Sequence, residues 1–454
     1  MPAEKFDVMV VGGGTGRDIV LAAEEQRLRV AVVEKGPLGG TCHNRGCMPS
    51  KMLIHSGDVA ETSRGGERFG VMSRIEEIDF PSIVRNVFAV LDAETEEREE
   101  AFRRSEYVTF FQMEGRFIGP KSMKVGDREI TADIVFIMGG TRPIVPEIRG
   151  VETVPHLTSD EALRLDEQPK RLVVIGGGYV AVELAHFFGS LGTEVTILVR
   201  GETLLDREDS EISEWFSREF CAKHRVLYNT EAEELSKNGD GVQIKLSGNG
   251  QTISTDQLLF ATGRRPNTDI LDVAVTGVDL DEKGFIKVNE HLETNVDGVW
   301  ALGDIVGIMT LKHVAVRQAK HVIRNVFFNE RKPMRYGAIP HAVFSSPQVA
   351  AVGKTEDELK VEDAAYKVGR YEFKNTGMGM ALKENGLVKV LASEADGILG
   401  CHIVGPDASC LIQEPVVAMN TTGRLDAIID AVHAHPGLPQ VVEEAFKSAK
   451  IATV

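Results

Sequence analysis

Two stretches of the chain share one pattern of apolar and polar positions. Between Phe6 and Glu34, the apolar run DVMVV precedes GGGTG, a stretch rich in Ala and Glu, and a second apolar run, LRVAVVE. From Arg171 onward, RLVVI precedes GGGYVAVELAHFFGSLG and EVTILVR. Each copy has the periodicity of a strand, a helix and a second strand, with glycines at the first turn. Two such copies in one chain predict two separate nucleotide-binding domains.

The pattern differs elsewhere in the chain. The highly charged stretch from Asp92 to Ser105 predicts a helix with a solvated face. After about Ala338, the strand-like runs AVFSSPQVAAVG, GLVKVL and GILGCHIVG precede a helix with the sequence LIQEPVVAMNTT. A His-Pro segment then leads into a closing helix. We therefore expect an α/β protein with two Rossmann-like dinucleotide-binding domains and a C-terminal α+β domain.

Composition narrows the classes of protein to which the chain can belong. Its 454 residues suffice for roughly three domains, and the hydrophobic fraction of 43% fits globular cores. The formal net charge of −17 argues against nucleic acid as a partner. The sequence shows no signal-peptide layout and no apolar run long enough to span a membrane, and its five cysteines form no dense framework. We expect a soluble cytoplasmic protein without a membrane partner.

The first glycine-rich turn has the features of a pyrophosphate-binding loop. Gly12 permits the tight turn, and Gly14 lets a pyrophosphate approach the backbone at the N-terminus of the helix. The third glycine of the G-x-G-x-x-G pattern is missing, because Arg17 occupies its position and Gly16 lies one residue earlier. Glu34, at the end of the second strand, can accept hydrogen bonds from a ribose hydroxyl pair. Together these residues favour a dinucleotide site over a plain strand–turn–helix.

The second glycine-rich turn differs from the first in the residue that follows its second strand. Gly176 and Gly178 are present, and Ala181 is an accepted substitute at the third position. The acidic residue is absent, because Val199 ends the strand and Arg200 follows it. A free 2′-hydroxyl needs a carboxylate, whereas a 2′-phosphate needs an arginine. The site therefore predicts NADPH, with NADH possible; the alternative is that Arg200 is only a solvated charge at a strand end.

Cys42 and Cys47 lie in the segment GGTCHNRGCMPSK and form a C-x4-C pair. Zinc needs more ligands than two thiols, and His43 has no second pair to join, so no metal site is expected. A structural disulfide is disfavoured in a reducing compartment. The pair therefore indicates thiol–disulfide exchange, in which one thiolate attacks a disulfide and a second thiol resolves the mixed intermediate.

The same segment resembles the active-site segment of the FAD-dependent pyridine nucleotide–disulfide oxidoreductases. Further motifs of that family follow in order along essentially the whole chain: GGTRP from Gly139, GGGYVAVE from Gly176, ATGRRPN from Ala261, ALGD from Ala301 and HAHPGLPQ from His433. The resemblance implies a homodimer. It also implies an FAD-binding domain at residues 1–150 and 273–337, an NAD(P)H-binding domain at 151–272 and a dimerisation domain at 338–454.

The resemblance also assigns residues to the two cofactor sites. Asp304 would bind the ribityl chain of FAD, and Tyr179 would gate the nicotinamide pocket. Lys51 would pair with Glu183 near flavin N5. The full set expected at the sites for FAD and NADPH is Gly12, Gly14, Thr15, Gly16, Glu34, Lys35, Gly40, Thr41, Lys51, Gly115, Gly140, Asp304, Leu311, His313, Gly176, Gly178, Tyr179, Val180, Glu183, Arg200 and Gly263.

The same resemblance assigns a different role to each of the two thiols. Cys47 would face the flavin, and Cys42 would be the interchange thiol that meets the substrate. His435, from the other subunit of a homodimer, would serve as their acid–base partner. With Lys51 and Glu183, these residues make up the expected catalytic set.

Gln440 departs from the family pattern, which normally places a glutamate five residues after the catalytic histidine. An amide oxygen can orient the ring of His435 but adds no negative charge. We therefore expect weaker stabilisation of the imidazolium and less help to the thiolate than a carboxylate would give. Glu443 or Glu444 could supply the missing charge.

The substrate is expected to be the disulfide of a low-molecular-weight thiol, of the mycothione, glutathione or bis-γ-glutamylcystine kind. Arg200 favours NADPH, and the segments RGETLL and LKHVA resemble the mycothione-reducing branch of the family. Arg17 and Arg45 lie near the presumed mouth of the site. Their guanidinium groups would suit substrate carboxylates or phosphates, or would face solvent or FAD phosphate. The alternatives are a dihydrolipoamide dehydrogenase, and an FAD-dependent NAD(P)H oxidoreductase or transhydrogenase with vestigial thiols.

Overall fold

The computed structural model describes residues 3–248 and 250–452, and its first unit is a seven-stranded sheet flanked by helices. The elements of this unit are β1 (Glu4–Val11), α1 (Gly16–Glu25), β2 (Val30–Val33), α2 (Gly40–Asn44), α3 (Cys47–Arg64), α4 (Phe80–Arg104), β3 (Val108–Phe111), β4 (Gly115–Gly119), β5 (Ser122–Val125) and β6 (Arg128–Ile137). The strand order is β3-β2-β1-β6-β5-β4. Strand β1 pairs in parallel with β2 on one side and β6 on the other. The strand order therefore reverses at β1, and a ligand crevice is expected at its carboxyl end.

The second unit repeats this arrangement on a smaller scale. Its elements are β7 (Thr141–Pro143), α5 (Ser159–Ala162), β8 (Arg171–Ile175), α6 (Tyr179–Ser190), β9 (Glu194–Leu198), α7 (Ser210–Cys221), β10 (Arg225–Leu227), β11 (Ala232–Asn238), β12 (Gly241–Leu246), β13 (Thr252–Thr255), β14 (Gln257–Phe260) and β15 (Arg264–Pro266). A parallel sheet has the order β10-β9-β8-β14, and β11 to β13 form an antiparallel sheet. Strands β7 and β15 pair with each other where the chain enters and leaves this unit.

The chain then returns to the first sheet before it builds the last unit. Strand β16 (Val299–Ala301) pairs in parallel with the end of β6, and α8 (Lys312–Phe327) follows. The last unit consists of β17 (Pro340–Val343), β18 (Gln348–Gly353), α9 (Glu356–Val361), β19 (Tyr366–Glu372), α10 (Gly377–Leu382), β20 (Leu387–Ser393), β21 (Ile398–Gly405), α11 (Ala408–Leu411), α12 (Gln413–Asn420), α13 (Asp426–Ile429), α14 (Gln440–Lys447) and β22 (Lys450–Ile451). Its antiparallel sheet has the order β17-β18-β21-β20-β19-β22.

The central strands are apolar on both faces because helices or other strands cover both sides of each parallel sheet. Val8 to Val11 of β1 and Val30 to Val33 of β2 are all buried. The α/β class, the two Rossmann-like units and the C-terminal α+β unit predicted from the sequence are confirmed. The residue boundaries of the three domains stay a prediction. Among the described residues, no helix is both long enough and apolar enough to cross a membrane.

Two helices differ in extent from the sequence-based expectation. The charged stretch that begins at Asp92 is the second half of α4, whose first half buries Val84, Phe88 and Leu91. The LIQEPVVAMNTT segment contains one helix, α12, which is shorter than the segment at both ends. Pro415 lies in the first turn of this helix, where the missing N–H of a proline is tolerated.

Candidate functional site

The turn after β1 leaves room for a ligand beside the backbone. Gly12 has φ +111°, and a Cβ there would lie 2.3 Å from the carbonyl oxygen of Met138, so only glycine fits. A Cβ at Gly14 would make only ordinary contact, 3.5 Å from Gly40 Cα. No contact within the protein therefore requires glycine at position 14. The space that a side chain would fill there is the space that a bound pyrophosphate needs.

Gly16 occupies a different position from these two glycines. It is buried, and a Cβ there would lie 2.7 Å from Cγ1 of Val10. The third glycine of a dinucleotide-binding turn normally allows this close packing of helix on strand. Gly16 thus takes over the packing role of the glycine that Arg17 replaces. It is the first residue of α1 and packs against β1 rather than lining the cavity described next.

One cavity joins the first glycine-rich turn to the dithiol, and it is called here the dithiol cavity. The expected cofactor residues that line it are Gly12, Gly14, Thr15, Glu34, Lys35, Gly40, Thr41, Lys51, Gly115, Gly140, Tyr179, Val180, Glu183 and Asp304. Cys42 and Cys47 lie in the same wall. Residues of α6 reach the cavity, so the first and second units meet at it.

Glu34 is held in one orientation at the end of β2. Its Oε2 accepts a hydrogen bond from the N–H of Gly13 at 2.8 Å, and its Oε1 accepts one from the N–H of Gly36 at 2.9 Å. Each carboxylate oxygen can accept further bonds. The arrangement fits the binding of two ribose hydroxyls.

A hydrogen bond between the two thiols makes Cys47 the more acidic of the pair. Cys42 lies on α2, and Cys47 is the first residue of α3, where the positive end of the helix dipole favours a thiolate. Hydrogen bonding with Cys47, together with burial, raises the pKa of Cys42 well above its ordinary value. The bond from Cys42 lowers the pKa of Cys47 to about 7, and attraction by Lys51 adds to this effect against burial. At neutral pH the pair therefore favours a Cys47 thiolate that accepts the S–H of Cys42.

Lys51 and Glu183 join α3 to α6 beside the dithiol. Lys51 Nζ lies 2.9 Å and 2.7 Å from the two carboxylate oxygens of Glu183, whose side chain is 5% exposed. Glu183 Oε1 also accepts the backbone N–H of Phe344 at 2.9 Å. The ring of Phe344 lies 4.9 Å from Lys51 Nζ. The ammonium group is thus fixed one helical turn beyond Cys47 and faces the same cavity.

Two basic residues of the cavity lie within motifs identified from the sequence but were not among the selected cofactor residues. Lys312 Nζ donates to Thr15 Oγ1 at 3.0 Å, and Arg264 Nε donates to Thr141 Oγ1 at 2.8 Å. Thr141 in turn donates to Asp304 Oδ2 at 3.2 Å. Burial raises the pKa of Asp304, although both basic residues oppose this. The dithiol cavity therefore holds more positive charge than the sequence motifs indicated.

The start of α8 decides which residues of the LKHVA motif face the cavity. By resemblance the motif, residues 311–315, was expected to line the flavin, with Leu311 and His313 selected from it, but the helix begins at Lys312. Residues three apart share a helix face, and Lys312 and Ala315 line the cavity. His313 instead points its Nε2 at the carbonyl oxygen of Pro340, 2.9 Å away. Helical spacing applied to the motif could have selected the correct pair.

The second glycine-rich turn has the same geometry as the first. A Cβ at Gly176 would lie 2.3 Å from the carbonyl oxygen of Ala261, whereas Gly178 faces open space at the N-terminus of α6. Arg200 is exposed beyond β9 and makes no hydrogen bond or ion pair with any other described residue. Together with Gly263, these residues lie outside the dithiol cavity, on the second unit.

The two arginines expected near the mouth differ in position. Arg45 lines the cavity, and its Nε lies 3.5 Å from Oδ2 of Asp160 on α5. Arg17 is exposed on α1, outside the cavity, and makes no ion pair with any described residue. Arg45 therefore already has a carboxylate partner within the chain.

His435 precedes α14 and is exposed to solvent. Its Nδ1 lies 3.0 Å from Oε1 of Gln440, the first residue of that helix. Among the described residues of this subunit, neither Glu443 nor Glu444 contacts His435. Glu443 contacts His433 and Lys447, and Glu444 contacts Lys447. Both carboxylates are therefore engaged by other residues.

Comparisons with known proteins agree with this geometry. The profile of the family "Pyridine nucleotide-disulphide oxidoreductase" matches residues 6–319, and that of its dimerisation domain matches residues 339–446, which supports a homodimer. Mycothione reductase of Mycobacterium tuberculosis is 34% identical over 460 residues, covering 98% of this chain and 99% of that protein. Dihydrolipoyl dehydrogenase of Bacillus subtilis is 30% identical over 472 residues, with 98% of each chain covered.

A solved structure shows the same fold. The HOCl-induced flavoprotein disulfide reductase of Escherichia coli superposes with a TM-score of 0.87 at 24% identity, covering 97% of this chain and 99% of that one. The two domain profiles together match most of the chain, and the relatives at or above 30% identity match it over nearly its full length; both results identify the same family. The chain belongs to the pyridine nucleotide–disulphide oxidoreductases, flavoproteins that combine FAD with a pyridine nucleotide, and is an NAD(P)H-dependent oxidoreductase of sulfur groups.

Proposed function

We propose that this protein is an NADPH-dependent reductase for the disulfide of a low-molecular-weight thiol. The observation that carries the proposal is the placement of Cys42, Cys47 and the Lys51–Glu183 pair in one cavity with the first glycine-rich turn. The few cysteines of the chain support a reducing, cytoplasmic setting for this reaction.

The dithiol cavity fits FAD. The open space at Gly14 suits the pyrophosphate, the Glu34 carboxylate suits the adenosine ribose, and Asp304 with Lys312 lies where polar groups of the cofactor need partners. Bound FAD would supply the means to accept a hydride from the pyridine nucleotide and to deliver two electrons to a disulfide. Lys51, fixed by Glu183, supplies a positive charge at the same wall.

The thiols then act as a reducing pair. Deprotonated Cys42 attacks one sulfur of the substrate disulfide, and the other sulfur leaves as a thiolate that takes a proton. Cys47 attacks Cys42 in the mixed disulfide, which releases the second thiol and leaves a Cys42–Cys47 disulfide. His435 of the partner subunit would remove the proton of Cys42 and return it to the leaving thiolate. Two electrons pass to the substrate in each cycle.

The proposal is tested by anaerobic titration with NADPH, followed by a panel of disulfides. A dithiol enzyme takes up two electrons beyond the flavin and develops long-wavelength absorbance from a thiolate beside the flavin. We then expect the highest kcat/KM with a thiol disulfide among mycothione-type, glutathione, bis-γ-glutamylcystine and coenzyme A disulfides. Preference for lipoamide with NADH would instead identify a dihydrolipoamide dehydrogenase. Uptake by the flavin alone would identify a flavin oxidoreductase with vestigial thiols.

Arg200→Ala is expected to lower kcat/KM for NADPH about 10- to 100-fold and to leave kcat/KM for NADH nearly unchanged. The reason is the loss of charge-assisted hydrogen bonds to a 2′-phosphate, each worth about 1.5–3 kcal/mol. Steady-state kinetics with both coenzymes measure this. Arg225→Ala, an exposed arginine at the start of β10, is the matched control. Equal use of the two coenzymes by the wild-type enzyme would contradict the assignment.

A further inference from the structure

The segment that carries His435 holds a second histidine with opposite surroundings. His433 and His435 are two residues apart in a segment that forms neither helix nor strand, and their side chains differ in exposure. The side chain of His433 is 5% exposed, whereas His435 is exposed to solvent. One ring is therefore anchored in the subunit while the other is presented outward.

His433 is held from three sides. Its Nε2 lies 2.6 Å from Glu414 Oε1, and its Nδ1 lies 3.1 Å from the carbonyl oxygen of Ala431 and 3.4 Å from Glu443 Oε2. The carbonyl and carboxylate oxygens accept hydrogen bonds, and contacts on both ring nitrogens leave the ring one orientation. Hydrogen bonds to a carboxylate are stronger than those between neutral groups, so the bond with Glu414 holds the ring firmly.

The two carboxylates belong to two different helices, one before the segment in the chain and one after it. Glu414 lies on α12, and Glu443 lies on α14, where Lys447 also contacts it at 2.6 Å. The ring of His433 therefore ties α12 to α14 at the point where the chain runs between them. Gln440, the contact of His435, is the first residue of the same α14.

His435 itself has a weak anchor. Its one described contact is the uncharged oxygen of Gln440, at 3.0 Å. A charged carboxylate at that position would fix the ring more strongly than an amide does. The orientation of the segment must therefore come from elsewhere, and His433 is the firmly held residue nearest to it.

We propose that His433, clamped between Glu414 and Glu443, is a positioning residue that fixes the direction in which His435 meets the dithiol of the partner subunit. This inference rests on the proposed role of His435 in disulfide reduction. It assigns His433 no contact with substrate. The clamp replaces the rigidity that a carboxylate at position 440 would otherwise provide.

The test uses His433→Leu and the more conservative His433→Gln in the FAD-loaded dimer. We expect His433→Leu to lower kcat for disulfide reduction by at least about tenfold, since small misplacement of a catalytic group has effects of this size. KM for the disulfide should change little, and electron transfer from NADPH to ferricyanide, which does not need His435, should stay at the wild-type rate. His433→Gln, which can still bond Glu414, should lose less.

Rescue provides a readout that general damage to the fold would not give. Adding Gln440→Glu to His433→Leu gives His435 a charged partner of its own, so much of the lost kcat should return and the pH profile should approach that of the single Gln440→Glu variant. His291→Leu is the matched control, because His291 also contacts a carbonyl and a glutamate away from the site.

Three outcomes would overturn the inference. These are an unchanged kcat in both His433 variants, an equal loss of the disulfide and ferricyanide activities, and a double variant with no recovery. If His433→Leu does not yield a folded dimer, His433→Gln and its combination with Gln440→Glu decide the question. His435→Ala separates this inference from the proposed function. If His435→Ala retains full disulfide turnover, the proposed acid–base role fails; if only His435→Ala loses turnover, the positioning role of His433 fails.

Discussion

Cys42→Ser is expected to lower disulfide-reductase turnover by roughly a thousandfold or more, because a serine hydroxyl can neither attack a disulfide at neutral pH nor form a mixed disulfide. Electron transfer from NADPH to ferricyanide should remain close to the wild-type rate, since it does not use the thiols. Both activities are measured on the same FAD-loaded preparation, so that their ratio is independent of cofactor content.

The long-wavelength absorbance of the reduced enzyme tests which of the two thiols lies beside the flavin. Cys47 is the thiol whose pKa is lowered to about 7, so the absorbance should be present above about pH 7 and disappear as the pH falls through that value. Cys42→Ser keeps the Cys47 thiolate and should keep the absorbance without activity. Cys47→Ser should lose both.

Cys221→Ser is the control for these variants, because Cys221 is exposed on α7 and contacts only the hydroxyl of Tyr228 through its sulfur. It should behave as wild type in every assay. Retained disulfide turnover in Cys42→Ser would show that the thiols are vestigial. Loss of the absorbance in Cys42→Ser and its survival in Cys47→Ser would reverse the assignment of the two thiols.

The features that the sequence alone predicted are local ones. Gly12 and Gly176 mark tight turns because each lies at a fixed spacing after an apolar strand. The dithiol is likewise identified by the short spacing between Cys42 and Cys47. The parallel sheets could be predicted because a helix that connects two strands of one sheet places those strands in parallel. The start of α4 was missed because the charged half of the helix, from Asp92, hides an apolar half before it.

The features that sequence could not predict depend on distant residues. Glu414 meets His433 across 19 positions, and nothing in either segment shows that Glu443 serves the buried histidine rather than the exposed one. Gln440 was identified as unusual because the family pattern fixes its spacing from His435. The proposed compensation through His433 depends on contacts with α12 and α14, which no local pattern encodes.

Lys389 provides the largest expected effect on stability. It lies on β20 and is completely buried, as is Asp209 at the start of α7. Lys389 Nζ lies 2.7 Å from Asp209 Oδ1, 2.7 Å from Glu356 Oε2 and 3.1 Å from Glu211 Oε2. One cation thus holds together carboxylates from the second unit and from the C-terminal unit.

Lys389→Met is expected to lower the free energy of unfolding by about 3–5 kcal/mol, because it leaves the completely buried carboxylate of Asp209 without its cation. Lys354→Met is the matched control. Lys354 makes a similar contact with Glu362, at 2.7 Å, but both side chains are about half exposed, so the loss should stay within about 1 kcal/mol. Denaturant unfolding at fixed protein and FAD concentrations measures both values, since cofactor and dimer formation also stabilise the folded state.

The pH dependence of this loss identifies its electrostatic origin. Burial opposes ionisation of Asp209 and Glu356, but hydrogen bonds from Lys389 and attraction to it outweigh burial and lower the pKa of both carboxyls. Their contribution in the wild type is therefore present above the ordinary carboxyl range and lost as the pH falls through the lowered values. The same carboxyls raise the pKa of Lys389 despite its burial, so its contribution is lost only as the pH rises beyond the ordinary lysine range.

In Lys389→Met the balance at Asp209 reverses. Burial acts there without the cation, so Asp209 should take up a proton at a higher pH than in the unfolded chain, whereas Glu356 keeps its contacts with Arg370, Lys360 and Tyr366. Protonation of Asp209 removes the unpaired charge, and the difference in unfolding free energy between wild type and variant should shrink as the pH is lowered from 7 to 5. A difference that is equally large at both pH values would mean that lost packing of the lysine side chain, rather than charge, accounts for the effect.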